Sequence, residues 1–553
     1  MIDQSAQQPS RASLAVCAST APPISFVHGL LWARLAAGLT WLLVPLTLAL
    51  AITRQSLWID EGFTVWFASH RTFTSFWSTL VGAPGTPGDS QLMLYLLYMW
   101  GWIKLFGKTE WALRLANVPF ALLFIATMSW AARHLLHRPM FWLFFCLSPF
   151  FWFYLNEARP YVMLLAFSSI ATVALLSYFA DPSEYKISAP WLCLVGLWFA
   201  WATHIMAAFL FPALFAFVLL SIASQPAFRR GFIRDWVKPV LVCSPAFLLL
   251  ASFYMVVTGY GLNKYGKSWP FSLIYVFYAF LGFGGLGPPR NQLRSATHLA
   301  VFAPYLPSVL LGGLALLVVC VVFLCSRPPR VVILLAISFL IGIAAAMFAS
   351  VVGDFQILDR HVAALCPLFL LTLLLWFSHA LSMDHSGYTV RVALIGLALV
   401  WTVSDARLVF LPQYQKDSYR AAAAIALLKA NSPRDTILWA ADPHTAYYYG
   451  IRVMNSGRYA GSPTDDLDWP VEREALDARN WNAADSVAFL STTSAPTVLV
   501  LSKADAFDSR GVWRALVAET KPQQLAQLNS FSIYEWQPHS TVPSPIASHP
   551  ADQ

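Results

Sequence analysis

Residues 157–180 read EARPYVMLLAFSSIATVALLSYFA: the charged turn Glu157-Ala158-Arg159-Pro160, then twenty residues from Tyr161 to Ala180 without one ionised side chain. At 1.5 Å per residue such a helix is about 30 Å long, the thickness of a bilayer's hydrocarbon core. Similar apolar runs recur on both sides of it. Working outward, spans are expected at 30–53, 110–132, 139–155, 160–180, 189–204, 206–224, 236–258, 300–325, 331–352, 359–380 and 389–411. Two further segments, 91–106 and 272–286, either cross or lie at the membrane surface, so the count is eleven, or thirteen if both cross. The composition agrees, with 58% apolar and 12% charged residues against roughly 25% charged in an average soluble protein. An ordinary water-soluble enzyme is excluded.

The net charge of +8 is unevenly spread: residues 1–411 carry 24 Lys and Arg against 13 Asp and Glu, and residues 412–553 carry 12 against 15. The basic excess lies in short loops between apolar runs, including 133–138, 229–234 and 327–330. There it acts as a cytoplasmic orientation signal, and it is not gathered on a soluble nucleic-acid-binding face. With eleven spans these loops are cytoplasmic. Loop 54–90, the Glu157–Arg159 turn, the His204 turn, loop 353–360 and everything after 411 then face outward. The expected organisation is a cytoplasmic tail (1–29), a transmembrane module (30–411) with outer loop 54–90, an α/β extracytoplasmic domain (412–537) and a Pro- and Ser-rich disordered tail (538–553). Within the third part a helix is expected over 418–429 with Asp417 as its cap, and strands over 435–441, 497–502 and 532–536. The seven cysteines all precede residue 412 and include no Cys-x-x-Cys pair, so neither a zinc ribbon nor a thioredoxin-type motif is present.

Chemistry concentrates on the outer face. Asp60-Glu61 follows the first span; adjacent acids there suit a solvated helix start or a general base with an orienting or cation-holding neighbour. Arg159 stands at the bilayer edge, where burying an ionisable group costs about 2.5–3.5 kcal/mol on insertion scales. It is either an ion-pair partner of Glu157 or a contact to an anionic substrate. His204 interrupts the apolar run 191–221 and is a structural histidine, a phosphate donor or a metal ligand. Asp359-Arg360-His361 opens another span, either as a headgroup anchor or as part of a site. Gly282–Gly287 (GFGGLG) lacks the Lys-Ser/Thr and the strand–helix setting of a phosphate loop, so no nucleotide cofactor is expected.

In order along the chain, Asp60-Glu61, Tyr95-Leu96-Leu97-Tyr98-Met99-Trp100, Lys104-Leu105-Phe106-Gly107, Ala112-Leu113-Arg114-Leu115, Leu147-Ser148-Pro149-Phe150 and Asn156-Glu157-Ala158-Arg159-Pro160-Tyr161 resemble the polyprenol-phosphate-sugar-dependent glycosyltransferases of the GT-C class. That class includes the protein O-mannosyltransferases and the lipid A aminoarabinose transferase. The resemblance implies an all-α polytopic membrane bundle of GT-C type with a small C-terminal α/β domain. It further implies a bacterial inner-membrane enzyme whose C-terminal domain is periplasmic, and which passes a sugar from a polyprenyl-phosphate carrier to a glycan, lipid or protein hydroxyl. By the same resemblance Asp60 is the catalytic base with Glu61 beside it, and Arg159 contacts the donor phosphate; His204 and Arg360, which share its expected outer-edge placement, are expected to join it there. Where relatives carry His-Pro-Pro or Lys-Pro, this chain has Gly88-Asp89-Ser90-Gln91. Asp89 is therefore the substitute there, and Asp89 and Glu157 are acceptor or metal candidates. A divalent cation shared by Glu61, Asp89 and His204 is left open. The chemistry is self-consistent: a sugar phosphate leaves as an anion, so one base suffices and no acid is required, whereas a glycosidase needs two carboxylates. The competing readings are a transporter, although the inverted repeats and broken helices of that class are not apparent, and a non-catalytic polysaccharide-export subunit.

Overall fold

The computed structural model describes residues 42–82, 90–225, 228–257, 269–295, 298–353, 355–383, 387–454 and 469–537, with Gly38 and Leu467. Asp89 and the two expected tails lie outside the described residues. The helix Tyr161–Ala180 forms where expected and stands at the centre of the bundle, with 17 of its 20 residues buried. A helix with no polar face is stable when neighbours cover all its sides, and here Val118–His134, Ser188–Thr203 and Cys366–Leu381 do so. Among the described residues eight helices are long and apolar enough to cross a membrane, and Leu42–Ala51, Met93–Phe106 and Ser188–Thr203 are apolar but shorter. The protein is a multi-pass helical membrane protein.

Two expectations about spans change. The stretch 139–155 is not one helix but three pieces, Pro139–Phe141, Trp142–Cys146 and Pro149–Leu155. Ser148 takes an extended conformation, ψ 117°, because a residue before proline is pushed out of the helical region. The two undecided segments contain helices of only 14 and 12 residues, Met93–Phe106 and Trp269–Phe280, roughly 21 and 18 Å long and short of a ~30 Å crossing. Gly282–Gly287 is a packing device. Gly285 N–H donates to Ser404 Oγ at 2.9 Å, and Trp401 Nε1 donates to the Leu281 carbonyl at 2.9 Å. A Cβ on Gly285 would meet the Ser404 carbonyl oxygen at 2.1 Å, so only glycine allows this contact with the helix Gly387–Phe410.

After residue 411 the chain builds a six-stranded sheet from β1 (Thr436–Ala440), β2 (Ile451–Met454), β3 (Arg473–Asp477), β4 (Thr497–Ser502), β5 (Gln523–Leu528) and β6 (Phe531–Trp536). Their order is β2-β3-β1-β4-β6-β5, parallel from β2 to β4 and antiparallel through β6 and β5. All six residues of β4 are buried, as a continuous apolar run in the middle of a covered sheet must be. The expected helix runs Tyr419–Lys429, but its N-cap is Ser418. Asp417 instead pairs with Lys503 at 2.7 Å and accepts from Ser530 Oγ at 2.7 Å, which ties the linker to the sheet.

This domain is docked on the segment that follows the first apolar helix. The helix Ile59–Ala68 crosses the short helix Pro443–Tyr448 at Gly62, where a Cβ would lie 2.1 Å from Thr445 Oγ1. The His444 ring packs edge-on to Phe63 and Trp66, with centroids at 5.2 and 4.9 Å. Tyr449 Oη accepts from Leu57 N–H at 2.8 Å and donates to Glu110 at 3.1 Å. The segment Leu57–Ala68 is thus held between the bundle and the C-terminal domain.

Candidate active site

Adjacent residues on a helix point about 100° apart, and this separates the two acids of loop 54–90. Glu61 turns inward and is fully buried. Its Oε1 accepts from Arg114 Nε at 3.0 Å and Ala158 N–H at 2.8 Å, and its Oε2 from Arg114 Nη2 at 2.9 Å, Lys416 Nζ at 2.9 Å and Trp58 N–H at 3.3 Å. A carboxylate offers about four lone-pair sites, so every one is engaged. Burial alone would raise its pKa, but Arg114 and Lys416, with the Arg114 and Ala158 hydrogen bonds, hold it down to about 2. Arg114 also donates to the Thr53, Gln55 and Ser56 carbonyls, which fixes the chain entering the helix.

Asp60 turns outward. Its carboxylate pairs with Arg360 Nη1, and the two side chains retain 24% and 22% exposure, so this acid is reachable where Glu61 is not. Arg159 reaches the same turn: its Nη1 donates to the Asp60 carbonyl and to Thr64 Oγ1, each at 3.0 Å. His204 is buried, close to Arg159, Arg360 and His361. Burial first, then these neighbours, of which the two arginines are positive, push its pKa well down, so it is neutral. Its Nδ1 accepts from Met206 N–H at 3.1 Å, which assigns the proton to Nε2. Asp60, Arg159, His204 and Arg360 therefore come together at the ends of four different segments.

Glu157 does not pair with Arg159. It is buried, its Oε2 has no hydrogen-bond partner among the described residues, and burial raises its pKa to about 7 against the opposing pull of Lys416 and Arg290. The same burial lowers Lys416 to about 8. Beside them Arg290 pairs with Asp359 at 2.6 Å and donates to Tyr154 Oη at 3.1 Å, and Tyr154 in turn donates to Asp359 at 2.9 Å. Among the described residues no group of three His, Cys, Asp or Glu is placed to hold a metal ion. The arrangement of Glu61, Asp89 and His204 around a cation does not fit Glu61, whose lone pairs are all engaged.

Arg114, Arg290 and Lys416 belong to the site although little in the sequence marks them. Arg114 carried a signal, a charge inside the apolar run after 110, and it belonged to a quoted motif. Lys416 carried none, because its importance comes from Glu61, 355 positions earlier in the chain.

No family model matches this chain, and no curated protein matches it by sequence. Solved structures do match. One is ArnT from Cupriavidus metallidurans bound to undecaprenyl phosphate, 14% identical, with 90% of this chain and 98% of that chain covered and a TM-score of 0.52. Another is the same protein in the apo state, 15% identical, with coverage of 92% and 98% and a TM-score of 0.50. The chain has the GT-C fold.

Proposed function

We propose that the protein is an integral-membrane glycosyltransferase that moves a sugar from a polyprenyl-phosphate carrier to an acceptor hydroxyl on the extracytoplasmic side of the inner membrane, with inversion. The observation that carries this is the meeting of a reachable carboxylate, Asp60, with Arg159, Arg360 and the neutral His204 at the membrane-edge ends of the helices. Asp60 takes the acceptor's hydroxyl proton, the acceptor oxygen forms its bond to the anomeric carbon from the opposite face, and the bond from that carbon to the phosphate oxygen breaks. Its electrons leave with polyprenyl phosphate. The growing charge falls on oxygen atoms that arginine guanidinium groups stabilise best. ArnT, which has this fold, was solved with undecaprenyl phosphate, and this supports a carrier of that class here. Glu61 acts as a positioning residue, since it fixes the Asp60 helix against Arg114, Ala158 and Lys416.

The test is to incubate the purified protein in lipid nanodiscs with a panel of polyprenyl-phosphate sugars and follow release of polyprenyl phosphate. Arg159→Lys keeps the charge but loses the planar fork and is expected to lower turnover about ten- to a hundredfold with folding retained. Equal donor binding by wild type and Arg159→Ala would remove Arg159 from the phosphate site. The orientation is checked in intact cells with a membrane-impermeant thiol reagent on a cysteine-free background. A cysteine at exposed Ser491 is expected to label and one at exposed Arg230 is not; labelling of position 230 would replace eleven spans by thirteen.

A further inference from the structure

Between the bundle and the C-terminal domain lies a cleft of about 280 Å³, walled by helix ends, the linker 413–417 and the Asn529-Ser530 turn that joins β5 to β6. It adjoins Asp60, because Arg360, which pairs with Asp60, lines it, as does Trp58 two residues earlier. We propose that this cleft is the acceptor site and that the acceptor is a saccharide, an inference that rests on the transferase reading and narrows it.

Charge comes first. The cleft is lined by three basic side chains, Arg290, Arg360 and Lys416, and three acidic ones, Glu157, Asp359 and Asp417. Each base already has a carboxylate partner: Arg290 with Asp359, Arg360 with Asp60 and Lys416 with Glu61. Arg360 is given to the donor phosphate; deeper in the cleft an acidic acceptor would have to break the Arg290–Asp359 and Lys416–Glu61 pairs, whereas a neutral one would not. Hydrogen-bonding capacity comes second. Gln292, Gln413, Gln415 and Asn529 are exposed at the rim, and a carboxamide both donates and accepts, as a sugar hydroxyl does. Deeper in, Trp58 Nε1 and Glu157 Oε2 are a buried donor and a buried acceptor with no hydrogen-bond partner among the described residues. Buried polar atoms of this kind are normally satisfied, and a hydroxyl placed between the walls would satisfy either. Phe153, Tyr154, Tyr275 and Tyr414 supply apolar surface for the C–H faces of a pyranose ring. A polypeptide is usually recognised through a strand edge, a groove for a helix or a series of apolar side-chain pockets. This lining is of another kind.

The test measures binding to the full-length protein in nanodiscs, without donor, of two probe sets: free di- to hexasaccharides of neutral hexoses and N-acetylhexosamines, and Ser- and Thr-containing peptides. The variants are Gln413→Ala with Gln415→Ala, both exposed rim side chains, and Trp58→Phe, which removes the orphan N–H. Saccharide binding is expected, weakened about tenfold by either change. Binding of peptides alone, of neither set, or of saccharides equally by wild type and both variants overturns the proposal. Polyprenyl-phosphate-sugar binding is measured on the same samples. If donor binds and saccharides do not, only the acceptor assignment fails; if donor does not bind either, the transferase reading beneath it fails.

Discussion

Asp60→Asn is expected to lower sugar transfer by roughly 10²–10⁴-fold, the usual cost of losing a positioned general base, with expression, detergent stability and donor binding close to wild type. The substitution is nearly isosteric. Asp60 is partly exposed, so its replacement leaves no buried charge unpaired, and the amide oxygen still accepts from Arg360. The loss should therefore appear in turnover and not in thermal unfolding. The pairing with Arg360 adds a second expectation. A phosphate that engages Arg360 loosens its hold on Asp60 and frees the carboxylate to take a proton, so donor binding and base activation are linked through one guanidinium. Transfer by Asp60→Asn at near wild-type rate across the pH range would exclude the base role and would bring the transporter reading forward.

Glu61→Gln should have the opposite signature. It leaves Arg114, fully buried, and Lys416, nearly so, facing a neutral amide. Removing one partner of a buried ion pair typically costs about 3–5 kcal/mol. A marked fall in the unfolding temperature of the detergent-solubilised protein is expected, with activity lost in proportion to folded protein. The pH dependence follows from the same pair. The folded-state pKa of Glu61 is depressed to about 2 from an ordinary value of 4.5. Its contribution is therefore complete above about 4.5 and is lost as pH falls from there toward 2, so wild type should destabilise with acid in that window and Glu61→Gln should respond less. An unfolding temperature unchanged by Glu61→Gln would show that the buried cluster does not hold the loop.

Much of this protein was legible from local pattern. Uninterrupted apolarity over Tyr161–Ala180 implied a spanning helix, because no face of it could meet water; that protein and not lipid covers nearly all of it came from the packing. The strand at Thr497–Ser502 was legible as well; its burial in the middle of the sheet was not. A carboxylate pair after the first span and an arginine before a later one marked candidate site residues at a membrane edge, since charge there is costly enough to need a cause. Pro149 was visible too, and the break it imposes at Ser148 follows from proline sterics, but the apolar composition around it hid the interruption.

Tertiary structure decided which charge meets which. Asp60 and Glu61 are neighbours of the same chemical type, and nothing local distinguishes them. The helical turn of about 100° sends one to Arg360 and the cleft, and the other to Arg114, Ala158 and Lys416 in the interior. Likewise Arg290 and Asp359 are 69 positions apart and become a pair only when their segments are packed together. Hydrophobic periodicity reports how deeply a residue is buried, a property of its own surroundings in the chain. The partner of a buried charge is set by the arrangement of segments distant in sequence, and so the transmembrane class could be read from the sequence while the division of labour between the two acids could not.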